Sequence, residues 1–349
     1  MAHRIAFPNR GSVAYQPFDL GPCGSGAVRI QTSFSLLSTG TESIVLNGLY
    51  SESSHWAEIV EYPYYPGYAT VGRVTEVADG VSGIRLGDMV FGQLPHASEH
   101  LVAPDEVVPF DGVQPEDAAW CALAGVAFVA AQRARLDPSR TVLIIGAGPV
   151  GQMLVRWAHA RGSRRIIVVD PFRDRLEHAK FGGATHVAAC GVDEAKERVL
   201  EMNSGELPAT VIDATGRAAT LGAALALVAD FGRLVVAGDT GAPEDQHLAP
   251  DLLRRGLSIV GAHGSHLPLA LGLRGPFAEA ALVGSKEALY NAASARFADV
   301  FFNLVRSGRF DLSQLITHVF PARDAPDAYA MVNARRAETL GVLFDWTTP

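Results

Sequence analysis

Cysteine is scarce in this chain. Its 349 residues contain three, Cys23, Cys121 and Cys190, too few for a disulfide framework or a multi-cysteine metal lobe, so each is expected to be an inert thiol. Positive charge is also in deficit: 29 Lys and Arg stand against 37 Asp and Glu, for a net charge of -8, and no basic cluster relieves it. Binding nucleic acid needs a basic surface to meet phosphate, so no nucleic-acid partner is expected and a small-molecule substrate fits better. Long apolar runs are missing too. The longest uncharged one, Ala118–Ala131, is too short to cross a bilayer and reads as a buried core helix, so no membrane partner is expected. The first residues, Met1-Ala2-His3-Arg4-Ile5, run into a strand-like segment with neither the apolar stretch nor the cleavage site of a signal peptide, which gives a cytoplasmic expectation.

What is present is an ordinary globular composition, 48% hydrophobic and 19% charged with 35 glycines, in a chain long enough for two packed lobes. From about Thr141 to Ala262 strand-like runs (TVLII, RIIVV, THVAA, ATVID, RLVVA, LSIVG) alternate with helical stretches such as GQMLVRWAHA. Six short strands alternating with helices predict an α/β domain built on a doubly wound parallel sheet. The first 115 residues differ: AVRIQTSF alternates with period two, and GRVTEVADGVSGIRLGDMVFG reads as short strands broken by glycine turns. That is a mostly β lobe. After about Arg309 a strand, a helix starting near Ala325 and a last strand are expected to return and complete it. The predicted domains are therefore 1–120, 121–309 and a returning 310–349, with 267–295 the least readable stretch, a lid or an oligomer contact.

Gly146-Ala147-Gly148-Pro149-Val150-Gly151 is a G-x-G-x-x-G placed directly after a predicted strand and opening a helix near Pro149. The first glycine permits the tight turn, the second lets the backbone approach a pyrophosphate, and the third lets helix and strand pack closely. The helix start offers unpaired N–H groups to the anion. The second strand ends in Asp170, where a carboxylate can accept from the adenosine ribose hydroxyls and repel a 2′-phosphate. NAD is therefore preferred over NADP, although Arg173 and Arg175 are within sequence reach of such a phosphate. Asp213-Ala214-Thr215-Gly216 and Val236-Ala237-Gly238-Asp239 end the fourth and fifth strands, at the sheet edge where ligands of open α/β folds lie. They either line the nicotinamide side or are only tight turns.

The order of parts resembles the medium-chain dehydrogenase/reductase superfamily, which includes zinc alcohol dehydrogenases and quinone reductases. The resemblance rests on Gly67-Tyr68-Ala69-Thr70-Val71-Gly72-Arg73-Val74, Gly87-Asp88-Met89-Val90, the glycine motif, Val169-Asp170 followed by Arg175-Leu176, and Pro321 to Tyr329. Ser38-Thr39-Gly40-Thr41-Glu42 and Pro66-Gly67-Tyr68 are most similar to the branch containing bacteriochlorophyllide dehydrogenase. The resemblance implies a GroES-like catalytic lobe, a Rossmann domain, a dimer or tetramer, and cofactor contacts from Thr39, Gly146, Gly148, Pro149, Val150, Gly151, Asp170, Arg175, Thr215, Gly238 and His263. Where zinc members carry C-G-T-D and G-H-E this chain has Thr39-Gly40-Thr41-Glu42 and Gly67-Tyr68-Ala69, and near the third ligand position only Cys121 offers a donor. A catalytic zinc needs about three His, Cys or carboxylate ligands, so a zinc-free enzyme with no metal ligands is expected.

Without a Lewis acid, an alcohol proton must leave through side chains while hydride goes to nicotinamide. By the resemblance, Thr41 matches a relay hydroxyl and Tyr68 stands where a ligand would, with Glu42 orienting either. Tyr68 reads equally as filling a vacated metal pocket, and Thr41 as a turn hydroxyl. His55, Trp56 and Glu58 fall in the segment that caps the substrate cleft in the family, and His263 and His266 follow the sixth strand. Each of these is either a contact to substrate or cofactor or a solvated surface group. The expected activity is NAD-dependent interconversion of a secondary alcohol and a ketone on a polar substrate. The alternatives are an NAD(P)H-dependent reductase of activated C=C bonds and a non-catalytic cofactor-binding protein or NADH sensor.

Overall fold

The computed structural model describes residues 1–272 and 286–348. The expectation of a lid or oligomer contact at 267–295 falls partly outside the described residues. Contacts divide the chain into two compact units, one of residues 1–48, 60–123 and 271–349, the other of residues 49–59 and 124–270. No helix among the described residues is long and apolar enough to cross a membrane.

The first unit is built on strands β1 (Ala2–Ala6), β2 (Ala14–Phe18), β3 (Val28–Leu37), β4 (Thr70–Val77), β5 (Met89–Gly92), β6 (Glu99–Val102) and β7 (Val107–Phe110). Strands β1 and β2 form a separate antiparallel pair. In the first half of β3 Val28, Ile30 and Thr32 turn inward at alternate positions, as the period-two pattern requires of a strand with one buried face; after the register shift at Thr32/Phe34 the residues from Ser35 to Leu37 are all buried. Val28, Ile30, Val74, Val90, Val102 and Val107 close a core beneath β3 to β7. The tail adds two strands to this unit. Strand β14 (Ile316–Pro321) runs parallel to β15 (Gly341–Asp345), and β15 pairs antiparallel with β3 through Leu343 opposite Leu36. The helix Lys286–Arg306, which the sequence reading places with the Rossmann segment, belongs to this unit; Phe302 lies against Phe110 of β7.

The second unit carries the six predicted strands, β8 (Val142–Ile145), β9 (Ile166–Asp170), β10 (His186–Ala189), β11 (Thr210–Asp213), β12 (Arg233–Val236) and β13 (Ser258–Gly261). All are parallel, in the order β10-β9-β8-β11-β12-β13. That is the Rossmann order, with its reversal between β8 and β11. Strands β8 and β9 are buried along their whole length, which explains their unbroken apolar runs: a parallel sheet covered on both faces has no solvated side to alternate with. Residues 49–59 also pack with this unit, which no sequence pattern announces. They are tied down by the Ser51 and Ser53 hydroxyls, which donate to Glu244 at 2.9 and 2.8 Å, and by the Ser51 N–H, which donates to the Gly241 carbonyl at 2.8 Å.

Candidate active site

In the second unit the glycine motif forms the turn between β8 and the helix Pro149–Ala160. Gly146 has φ +96°, a left-handed conformation that a side chain would strain. A Cβ on Gly151 would lie 2.0 Å from the Gly146 carbonyl oxygen, so the helix can pack this closely only without one. The space around Gly148 is open: the nearest atom to a Cβ there is a guanidinium nitrogen of Arg175, at 3.6 Å. The structure thus leaves room at the second glycine and places a cation beside it, as a pyrophosphate at this helix start requires. Pro149 and Val150 open the helix half-buried, next to that space.

Asp170, at the tip of β9, is buried. One carboxylate oxygen accepts from the Ala147 N–H and the other from the Phe172 N–H, both at 2.8 Å. The acid therefore locks the glycine turn to the second strand, and each oxygen keeps lone-pair capacity for a further donor. Gln152 reinforces the arrangement, donating to the carbonyls of Ala147 and Arg175 at 2.9 and 2.8 Å. Arg175 is buried with its guanidinium over the Phe172 ring, whereas Arg173 is exposed. After β11, the Thr215 hydroxyl and N–H donate to Asp213 at 2.7 and 2.9 Å. Burial raises the Asp213 carboxyl above its ordinary range, and the Thr215 bonds oppose the rise. Gly238, after β12, approaches so closely that its Cβ would lie 2.2 Å from the Gly216 nitrogen.

Beyond β12 and β13 lies a cluster the sequence reading did not assemble. His55 Nε2 stands 3.3 Å from Asp239 Oδ2, and His263 is the third member of the group. Burial raises the Asp239 carboxyl, while His55 and His263 act in the opposite direction. The rings of His263 and His266 are 6.3 Å apart, and Glu58 is exposed on the 49–59 segment.

In the first unit the hydroxyl candidates do meet. Tyr68 OH donates to Ser38 Oγ at 2.6 Å and also bonds to Thr41. Burial pushes the Tyr68 phenol up to about 12, with the Ser38 and Thr41 bonds pulling down and the charge of Glu42 adding to the rise. Tyr68 as a proton-accepting phenolate is thus disfavoured by its own surroundings; it is a hydrogen-bond donor at any ordinary pH. Thr39 is buried.

Glu42 does not orient Thr41 or Tyr68 as expected. It is turned into the core, where one oxygen accepts from the Ser38 N–H at 2.8 Å, His96 Nε2 stands 3.2 Å from the other, and Tyr329 OH donates to it. His96 is held in turn by Ser35 Oγ at 2.8 Å, which also accepts from the Trp346 indole at 2.9 Å. The physical reason is burial: a carboxylate 2% exposed must be hydrogen-bonded, and the partners that satisfy it are the nearby Ser38 N–H and side chains from two distant segments. Sequence reasoning passed over His96 and Trp346, and it met Tyr329 only as the end of a motif.

Around the hydroxyl cluster stand Ser38, Thr41, Tyr68 and Tyr290, all neutral oxygens, and Cys121, whose thiol burial holds well above its ordinary value. Zinc takes thiolate, imidazole or carboxylate, and Glu42 is already engaged. These residues do not fit the ion.

The family described as zinc-binding dehydrogenase matches residues 149–274. The sorbitol dehydrogenase of Bacillus subtilis (strain 168) is 30% identical over 212 residues, covering 52% of this chain and 60% of its own. The 2-desacetyl-2-hydroxyethyl bacteriochlorophyllide A dehydrogenase of Cereibacter sphaeroides is 25% identical over 348 residues, covering 95% and 94%. A protein of E. coli CFT073 described as a short chain alcohol dehydrogenase, solved in complex with NADH, superposes with a TM-score of 0.76 at 18% identity, over 99% of both chains. Against two of the curated relatives, this chain spans only 47% and 60% of their length. With the Rossmann strand order, the glycine turn locked by Asp170 and a β lobe closed by the tail, these matches make the chain similar to zinc-binding dehydrogenases over residues 149–274 and, over nearly its whole length, to the bacteriochlorophyllide dehydrogenase.

Proposed function

We propose that the protein is an NAD-dependent oxidoreductase that interconverts a secondary alcohol and a ketone on a small polar substrate, without zinc in its catalytic step. The observation that carries this reading is the turn at Gly146–Gly151, open at Gly148 and fastened to the tip of β9 by Asp170. The turn and helix N–H groups with Arg175 hold the pyrophosphate. Asp170 accepts from the adenosine ribose hydroxyls and disfavours a 2′-phosphate. Thr215, Gly238 and the strand ends bearing them receive the nicotinamide side. When bound, the nicotinamide supplies or accepts the hydride. The polyol and alcohol dehydrogenases among the relatives support the reaction class.

The proton is handled by Tyr68, Ser38 and Thr41. In ketone reduction the neutral Tyr68 phenol turns its O–H from Ser38 Oγ to the carbonyl oxygen as negative charge develops there, and the Ser38 hydroxyl donates to the phenol oxygen in turn. The proton then transferred to that oxygen is replaced along the Ser38 and Thr41 hydroxyls, and alcohol oxidation runs the same steps in reverse. A phenol raised to about 12 suits this donor role and not that of a resting base. The test is an absorbance assay of the full chain with NAD and NADP against polyols, sugar alcohols and enones, in the presence of a chelator. Turnover with NAD and a polyol or other secondary alcohol is expected. Consumption of NADPH alone, with enones alone, would overturn the reading in favour of a C=C reductase.

A further inference from the structure

The geometry points to a divalent transition-metal site, of the zinc class, formed by His55, Asp239 and His263 in the second unit. One ligand atom from each of the three lies within 4.8 Å of the others, and no other such group occurs among the described residues. Ligands about 2.0–2.1 Å from a tetrahedral zinc stand roughly 3.3 Å from one another, and His55 Nε2 and Asp239 Oδ2 are 3.3 Å apart. His263 Nδ1 meets Ser265 Oγ at 2.8 Å. The Ser265 N–H also donates to that Nδ1, at 3.3 Å; an ion taken on Nε2 shifts the ring proton to Nδ1, where the Ser265 hydroxyl accepts it in place of the N–H contact, the outer-shell pattern of metal-bound imidazoles.

A second feature converges on the same carboxylate. Trp56 is buried, and its indole N–H makes no well-aligned hydrogen bond. It faces Asp239 and favours the charged form of that acid. The anchors Ser51 and Ser53 to Glu244 bring His55 to this place independently of any ion. Two imidazoles and one carboxylate suit zinc, cobalt or nickel; magnesium and calcium take oxygen ligands. The fourth position is left to water.

The three ligands come from separate stretches: the 49–59 segment and the residues following β12 and β13. An ion held by all three binds the folded chain in preference to the unfolded one and fastens the segment to the strand ends. The inference is independent of the hydride-transfer reading, because none of these residues belongs to the Tyr68 hydroxyl cluster and its test needs no turnover.

The test uses the chelator-dialysed full chain, titrated with Zn²⁺ by calorimetry and with Co²⁺ by visible absorption. One ion per chain, a tetrahedral Co²⁺ spectrum and a Tm that rises with Zn²⁺ are expected. His55→Ala and His263→Ala should each weaken Zn²⁺ binding by at least about 100-fold, beyond the range typical of an outer-shell partner, and abolish the rise in Tm. Replacing the exposed His247 by Ala should change neither. If a histidine variant fails to fold, Asp239→Asn carries the same comparison. Absence of saturable binding below millimolar Zn²⁺, or binding unchanged in both His55→Ala and Asp239→Asn, overturns the proposal.

Discussion

Replacing Asp170 by Asn separates the two jobs the structure gives this residue. The carboxylate accepts from the N–H groups of Ala147 and Phe172 at 2.8 Å each while buried. An asparagine keeps one acceptor oxygen and turns an NH₂ group toward the other N–H. The loss of a hydrogen bond to a charged group, about 1.5–3 kcal/mol, weakens the turn and therefore affects both dinucleotides alike. The ribose contact is different, because only NAD gains from the carboxylate, and removing it costs NAD a further ~1.5–3 kcal/mol, or about 10–100-fold in affinity. For NADP, losing a negative charge that faces the 2′-phosphate offsets the weakened turn. Calorimetric titration of wild type and D170N with both dinucleotides should show the preference for NAD over NADP falling at least about tenfold. If both affinities fall together and their ratio stays the same, Asp170 is only a turn clamp, and the basis for choosing NAD is refuted.

Other outcomes follow from the same structure. Tyr68→Phe removes the donor hydroxyl and should lower kcat about 100-fold or more with little change in KM, in a chain whose circular dichroism is unchanged. With the Tyr68 phenol at about 12, the rate of ketone reduction should not fall through ionisation of this group up to about pH 10, and should be lost as pH rises through about 12. Gly151→Ala places a methyl 2.0 Å from the Gly146 carbonyl oxygen, so binding of both dinucleotides should be abolished by the displaced turn, as read by fluorescence titration. Burial lowers His100 to about 4, and the nearby His96 adds to the effect. Its contribution to stability is present above the ordinary pKa near 6.5 and is lost as pH falls toward 4, by about 3 kcal/mol. Denaturant titrations across that window should show a shallower loss for His100→Phe, provided that variant folds.

The second unit was legible in the sequence because its physics is local. Each buried parallel strand must be a short unbroken apolar run, and TVLII, RIIVV and RLVVA are such runs. The glycine spacing and Asp170 report a turn and its neighbouring strand tip, constraints that act within one strand-helix-strand repeat. The Glu42 network was not legible, because its partners His96 and Tyr329 lie 54 and 287 positions away and nothing in their own neighbourhoods marks them as a set. The capture of residues 49–59 was hidden for the same reason: the Ser51 hydroxyl meets Glu244 across 193 positions. The Tyr68 and Thr41 hydroxyls could be nominated by resemblance, but the direction in which burial moves the phenol depends on three-dimensional surroundings that no linear pattern encodes.

A single-turnover experiment with a secondary alcohol deuterated at its carbinol carbon, NAD and the chelator-dialysed enzyme probes the reaction itself. The account predicts deuterium on the reduced nicotinamide without added metal. Finding no label there with any alcohol tried, or label only after zinc is restored, would contradict it.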